Sequence, residues 1–272
     1  MQRPATGSQR FSAAAGASIH RGIVDFGHRI GALGLVNWDF PPHFTPMTTV
    51  TKTSVQISAA LFDMDGLMLD TERIACRAWH DAAAGLGLEI DPEVILGMVG
   101  MHSSKVEAWL KSQLGDDAPV NLLRDATHER YLQLTEAPIP HKAGLIELLE
   151  WLKTAGLPIG VATSTRRSIA EHHLKAAGIW PYFAFAVCGD EIDHPKPAPD
   201  IYLKAAGLHG VAPQACVVFE DSNFGVRAGY SAGCQVIMVP DLRQPSEETL
   251  ALGITVLPSL VEARQLVANW LE

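Results

Sequence analysis

Two aspartates one residue apart, with a glycine directly after them, close an apolar run in Leu61-Phe62-Asp63-Met64-Asp65-Gly66-Leu67-Met68-Leu69-Asp70-Thr71-Glu72. Two close carboxylates resist joint ionisation. The pair therefore asks for a cation, or for one carboxylate that ionises and one that carries a proton. Asp and Gly are also common turn residues, so the motif takes its weight from three stretches further along the chain.

Those three stretches carry polar groups that apolar periodicity does not explain. Val161-Ala162-Thr163-Ser164-Thr165 offers small hydroxyls and backbone N–H groups at the start of an expected helix, a ready anion site. Ser164 or Thr165 would equally serve as an ordinary N-cap. His194-Pro195-Lys196-Pro197-Ala198-Pro199-Asp200 restricts the backbone around a single lysine with three prolines. Such a frame suits a lysine aimed at a phosphate or at carboxylates. Val217-Val218-Phe219-Glu220-Asp221-Ser222 runs an apolar segment straight into two acids. Asp63, Asp65, Glu220 and Asp221 would repel strongly in one partly buried site. Oxygen ligands without His or Cys point to Mg²⁺. A metal, a lysine and an anion-binding helix end together indicate phosphate chemistry.

These residues need a scaffold that brings them together. Residues 58–62 read as a strand buried on both faces of a parallel sheet, and ligands bind at the C-terminal ends of such strands. Further strands are expected at 157–163, 183–188, 216–220, 235–239 and 255–257. Helices are expected at 144–154, 166–177, 200–206, 223–232 and 260–271. This alternation implies an α/β, Rossmann-like parallel sheet with helices on both faces. Between 71 and 138 only helical patterns occur. They run from 71 to about 86, from 92 to about 98, through Val106, Trp109, Leu110 and Leu114, and over 120–134 with Leu122, Leu123, Ala126, Tyr131 and Leu134 inward. The expected division is an α/β core of 57–70 and 139–272 with a helical cap of 71–138 inserted after the first strand. Trp79 and Trp109 are expected in the core of that cap.

The 272 residues are 47% hydrophobic and 19% charged, which fits a globular protein with a sizeable core. The net charge of −9 argues against a nucleic-acid partner. No apolar run approaches the ~20 residues of a membrane span. Cys76, Cys188, Cys216 and Cys234 lack metal-ligand spacing and read as buried, reduced thiols, hence a cytoplasmic setting. Residues 1–56 differ from the rest: they are rich in Ala, Gly, Ser and Pro and carry +3, against −12 for the remainder. A disordered tail, a transit peptide, or a chain whose true start is Met47 all fit this segment, and it is left out of the expected fold.

The order DxDG(x)3D, T/S, K, ED, each at a strand end, resembles the haloacid dehalogenase superfamily of phosphohydrolases. The helical insertion is similar to the small α-helical cap of its β-phosphoglucomutase and sugar-phosphate phosphatase subgroup. The resemblance covers about residues 57–272 and rests on FDMDGLMLDTE and HPKPAPD. It implies that Asp63 attacks phosphorus and forms an aspartyl-phosphate, and that Asp65 acts as general acid and then base. It implies that Thr163 and the backbone after it, Ser164 and Thr165 included, hold the phosphoryl oxygens, and that Lys196 bridges Asp63 and the phosphate. Mg²⁺ would be held by Asp63, the Asp65 carbonyl, Glu220 and Asp221. Gly66 would belong to a flexible turn that couples cap to core beside the substrate.

Within that subgroup the chain reads as a phosphatase of a small phosphorylated sugar, polyol or nucleotide, acting as a monomer. The mutase pattern has a histidine five residues beyond the last aspartate of the first motif, where this chain has Ala75. It has a cap arginine where this chain has Ser103. A phosphomutase is the alternative reading, and a catalytically silent binding protein a further one. His102, Ser103, Ser104 and Lys105 are the expected specificity residues of the cap, unless they simply start a helix.

Overall fold

The computed structural model describes residues 56–101 and 103–271. Residues 1–55, which carry nearly all of the tail, transit-peptide and late-start readings, lie outside the described residues, as does His102.

Six strands form one parallel sheet: β1 (Ala59–Phe62), β2 (Ile159–Ala162), β3 (Phe185–Val187), β4 (Cys216–Glu220), β5 (Gln235–Met238) and β6 (Thr255–Val256), in the order β3-β2-β1-β4-β5-β6. β1 is central: Phe62 lies in register with Val161 of β2 and Phe219 of β4. The alternation of each strand serves two helical layers. Ala60, Phe62, Val161, Val217 and Phe219 face the helices α5 (Leu145–Thr154), α6 (Arg167–Ala176) and α10 (Leu260–Leu271), through Leu148, Leu174 and Val267 among others. Ala59, Leu61, Ala162, Val218 and Val236 face α7 (Asp200–His209) and α8 (Asn223–Ser231), through Ile201, Tyr202 and Val226. The rings of Phe62 and Phe219 lie 4.6 Å apart, centroid to centroid, at the level where the strands end. The expected parallel α/β sheet is therefore found. A short helix α9 (Glu247–Leu250), capped by Ser246, adds to the expected elements; four residues are too few to show helical periodicity.

Between β1 and α5 lie four helices, α1 (Thr71–Gly85), α2 (Pro92–Leu96), α3 (Ser103–Leu114) and α4 (Val120–Leu134). They have small apolar clusters of their own, built on Ile95, Met98, Leu110 and Val120 and on Ala82, Ala83 and Leu123. Trp109 packs in the first and donates its indole N–H to the Val94 carbonyl at 2.9 Å. One expectation fails here. Leu122 is 55% exposed, because the buried stripe of α4 runs through Val120, Leu123 and Thr127, leaving Leu122 about a third of a turn away.

The two connections between insert and core run side by side. Leu69 bridges His141 in antiparallel fashion, the Asp70 N–H donates to the Pro140 carbonyl at 3.0 Å, and the Lys142 N–H donates to the Met68 carbonyl at 2.9 Å. An alternating charge cluster locks them to the core. Oδ1 of Asp241, in the loop after β5, accepts from Lys142 at 2.6 Å and Arg73 at 2.8 Å; Asp70 accepts from the same two cations at 3.3 and 2.5 Å. The Asp241 side chain is 4% exposed, and its second oxygen has no partner among the described residues. Among the described residues, no helix is long and apolar enough to cross a membrane.

Candidate active site

β1, β2 and β4 end side by side, and each releases its polar residues at the same edge of the sheet. Asp63 extends the ladder by one residue, its N–H donating to the Phe219 carbonyl at 3.0 Å. The chain then turns back through buried Met64, Leu67, Met68 and Leu69, with Gly66 at φ +80°. A β-carbon on Gly66 would lie 2.3 Å from Asp221 Oδ2, so this position is closed to side chains by space as well as by backbone geometry.

Lys196 is 5% exposed and reaches into this edge. Its ammonium donates to Asp63 Oδ1 at 2.5 Å, Glu220 Oε1 at 2.5 Å and the Ala162 carbonyl at 3.0 Å. Burial works against the charge on Lys196, but Asp63 and Glu220 outweigh it and push its pKa up. Burial pushes the Asp63 carboxyl well up; Lys196 pulls it back, and Glu220 and Asp65 add to the rise.

Asp65 is held from β2. Its Oδ2 accepts from the Thr165 hydroxyl at 2.7 Å and the Thr163 hydroxyl at 3.2 Å, while the Thr165 N–H donates to Thr163 Oγ1 at 3.1 Å. The two hydroxyls thus fix one face of a carboxylate. Thr163 is fully buried and its hydroxyl is spent on Asp65.

Glu220 is also fully buried. Besides Lys196, its Oε1 accepts from the Tyr202 hydroxyl at 2.7 Å. Its Oε2 accepts from the N–H groups of Asp221 and Ser222, both at 3.1 Å, and the Ser222 hydroxyl at 3.2 Å. A β-carbon on Gly225 would fall 1.6 Å from Glu220 Oε1, so only glycine lets α8 start this close. Asp221 presents the opposite case: it is 4% exposed, and its carboxylate accepts no hydrogen bond from the described residues. Burial, then Glu220 and Asp63, push its pKa well up. Asp63, Glu220 and Asp221 can each bring one carboxyl oxygen within 4.8 Å of the others. A buried, unpartnered carboxylate beside a second one is a donor set that a hard divalent cation such as Mg²⁺ fits.

A cavity of about 740 Å³ opens over these groups. Asp63, Asp65, Ser164, Thr165, Lys196 and Asp221 line its floor; residues of the helical insert line its roof. The structure thus brings together the expected Asp63, Asp65, Ser164, Thr165, Lys196, Glu220 and Asp221, with Thr163 just behind. It does not bring Lys105, which is exposed and lies 6.0 Å from the Phe224 ring centroid, outside the cavity. Ser103 opens α3, in agreement with a helix start at this point. Trp79 packs in both insert clusters but also reaches the cavity. Cys76, expected to be buried, is half-buried and lines the same wall, because α1 turns the face of Glu72, Cys76 and Trp79 toward the cavity.

Glu72 on α1, the last residue of the first motif, also lines the cavity, and outside the motifs so do Arg124, His128 and Tyr131 on α4. The spacing of the last three, i, i+4, i+7, places them on one helix face and is the signal the sequence offers for them. Tyr202, 18 positions before Glu220 and in no motif, offers none.

The profile of the haloacid dehalogenase-like hydrolases matches residues 60–239. A fructose-1-phosphate phosphatase of Escherichia coli is 33% identical over 182 residues, covering 66% of this chain and 94% of that protein. A protein of Drosophila melanogaster described as a probable pseudouridine-5′-phosphatase is 34% identical over 220 residues, covering 78% and 93%. A solved structure described as a putative β-phosphoglucomutase from Thermotoga maritima superposes with a TM-score of 0.65 at 26% identity, covering 78% of this chain and 99% of that one. The chain belongs to the haloacid dehalogenase-like hydrolases, in their phosphoglucomutase-like subgroup, and is a phosphoric monoester hydrolase.

Proposed function

We propose that this hydrolase is a Mg²⁺-dependent phosphatase of a small phosphorylated sugar, polyol or nucleotide, working through an aspartyl-phosphate on Asp63. The observation that carries the reading is the division of labour among the carboxylates. Asp63 is paired with a buried lysine, Asp65 is restrained by two hydroxyls, and Asp221 is left without a partner among the described residues, all around one cavity.

Lys196 draws the Asp63 carboxyl toward its ionised form and fixes one of its oxygens, which leaves the other for attack on phosphorus. As the Asp63–phosphorus bond forms, the bond to the leaving oxygen breaks, and Asp65 supplies the proton that oxygen needs. Thr163 and Thr165 hold Asp65 in place for this. Asp65 then takes a proton from water, which attacks phosphorus, breaks the bond to Asp63 and frees inorganic phosphate. Ser164 and the backbone beside it, at the cavity floor, receive phosphoryl oxygens. Asp63 and Asp221, with the Asp65 carbonyl, would hold Mg²⁺, which offsets charge on the phosphoryl group. Glu220 stands behind them as the partner of Lys196, its two oxygens already accepting five hydrogen bonds. The insert would act as a cap that excludes water. The unpaired cysteines agree with a reducing, cytoplasmic setting.

The test is phosphate release from a panel of phosphorylated sugars, polyols and nucleotides, with and without Mg²⁺. Release that needs Mg²⁺ and vanishes in Asp63→Asn supports the reading. Interconversion of glucose 1-phosphate and glucose 6-phosphate without net release would replace it with the mutase.

A further inference from the structure

Cys216 and Cys234 have no part in the chemistry above, yet the fold sets them side by side. Cys216 opens β4, and Cys234 stands one position before β5. Val217 lies in register with Gln235, so the parallel ladder places Cys216 beside Cys234 one step earlier. Strand alternation turns both side chains to the α7–α8 face of the sheet, where they pack with Val218 and Val236. A side-chain hydrogen bond joins the two thiols, and Cys216 also reaches the Ala212 carbonyl at 3.8 Å. Adjacent strands run about 4.8 Å apart, a Cα separation that a disulfide spans without backbone movement. Cys76 and Cys188 belong to other apolar clusters, one in the insert and one on the opposite face of the sheet.

We propose that Cys216 and Cys234 form a reversible redox-modification site, which hydrogen peroxide joins into a disulfide that staples β4 to β5. One sulfur attacks a peroxide oxygen. The O–O bond breaks, that sulfur keeps a hydroxyl as a sulfenic acid, and its proton leaves with the other oxygen as water. The second sulfur then attacks the first; the S–S bond forms, the S–O bond breaks, and another water leaves with the second thiol proton. The two thiols are oxidised by one electron each, and the peroxide takes both. The hydrogen bond from Cys234 pulls the Cys216 thiol down against its burial, toward the thiolate that reacts. Cys234 is 7% exposed, and β6 begins only opposite Ile237, so beside Cys234 the outer side of β5 has no neighbouring strand among the described residues. That opening suits a small oxidant. In a reducing compartment the dithiol prevails and the link is transient. The segment between the two cysteines carries Glu220, Asp221 and α8, and the staple would close its base. It does so at the start of the strands, whereas the carboxylates stand at their far ends, so the proposal does not rest on the phosphatase reading.

The experiment treats the folded full chain with hydrogen peroxide, blocks the remaining thiols with N-ethylmaleimide and digests with trypsin without reduction. Cleavage after Lys204, Arg227 and Arg243 puts the two cysteines on separate peptides, 205–227 and 228–243. Mass spectrometry is expected to find these two peptides linked. The melting temperature of the oxidised chain should rise by about 6–12 °C, and dithiothreitol should reverse both changes. Both should persist in the Cys76→Ala/Cys188→Ala double variant and be lost in Cys216→Ala and in Cys234→Ala. The proposal is overturned if both thiols can still be alkylated after peroxide and unfolding, or if either is carried only to a sulfinic acid. A link that forms solely in chains first unfolded in urea overturns it as well.

Discussion

The Tyr202 hydroxyl donates to Oε1 of Glu220 across 2.7 Å, in a place no solvent reaches. Burial, then the charge of Glu220, hold the phenol protonated, so it remains a donor. The same Glu220 oxygen accepts from Lys196, whose ammonium lies 5.1 Å from the centroid of the Tyr202 ring. Tyr202 therefore fixes Glu220, and Glu220 helps fix the lysine that serves Asp63. In Tyr202→Phe the ring stays and one hydrogen bond to a charged group goes. The expected loss is about 1.5–3 kcal/mol in a urea titration, with a lower kcat and an unchanged KM. A variant as stable and as active as the parent would remove Tyr202 from this relay.

Removing the cation itself should do far more. Lys196→Met leaves Asp63 and Glu220 buried and close together without their shared partner. Breaking a buried ion pair from one side costs about 3–5 kcal/mol, so a large fall in the urea midpoint and loss of activity are expected. Asp63→Asn should instead lose activity and keep its midpoint near the parent, because Lys196 still has Glu220. Equal destabilisation by the two substitutions would contradict this ordering.

Glu72 makes stability depend on pH. Burial, then Asp65, push its carboxyl from the ordinary 4.5 to about 8. The folded state then binds the proton more tightly than the unfolded state. This contribution is fully present below pH 4.5 and is lost as pH rises toward 8, by up to about 1.4 kcal/mol per pH unit. Metal-free Glu72→Gln should therefore gain stability relative to the parent across that window and show no difference near pH 4. Parallel melting curves at pH 5, 6.5 and 8 check this; a constant offset would mean that Glu72 titrates normally.

Mg²⁺ should reverse part of the same trend. Its ligands must be deprotonated, so binding competes with protons. The shift in melting temperature caused by Mg²⁺ should grow from pH 5 to pH 8 and vanish in Asp221→Asn, whose lost carboxylate has no partner to miss among the described residues. A pH-independent shift, or one that survives in Asp221→Asn, would place the cation elsewhere.

Asp241 ties Lys142 and Arg73, one from each connection between core and insert. Asp241→Asn leaves the two cations with Asp70 alone and is expected to loosen the insert. Activity should become more sensitive to ionic strength, with kcat and KM moving together. An unchanged salt profile would reduce this cluster to a local anchor.

Much of the site is legible in the sequence because strand ends concentrate chemistry. The apolar runs into Asp63, Thr163 and Glu220 each end where the sheet ends, and the proline frame does deliver Lys196 to them. The parts that are not legible depend on helix rotation. Whether Glu72 or Arg73 faces the cavity is decided by the phase of α1, which the sequence sets only to within part of a turn; Leu122 turns outward for the same reason. Thr163 reads as a phosphate contact because its position at the strand end is clear, but its hydroxyl goes to Asp65, a pairing across about 100 residues that no local pattern encodes.

The central position of β1 also sets the order in which the molecule assembles. β1 is made first, but its neighbours β2 and β4 come about 100 and 160 residues later. At ordinary synthesis speeds its apolar run waits about 10–30 seconds for the second of them. Nearly every contact that builds the sheet is long in sequence, the kind of topology that folds slowly. The four helices α1–α4, with their own apolar clusters, are complete well before the sheet is. Ribosome-bound chains cut just before β4 should therefore protect α1–α4 from protease while β1 remains cleavable.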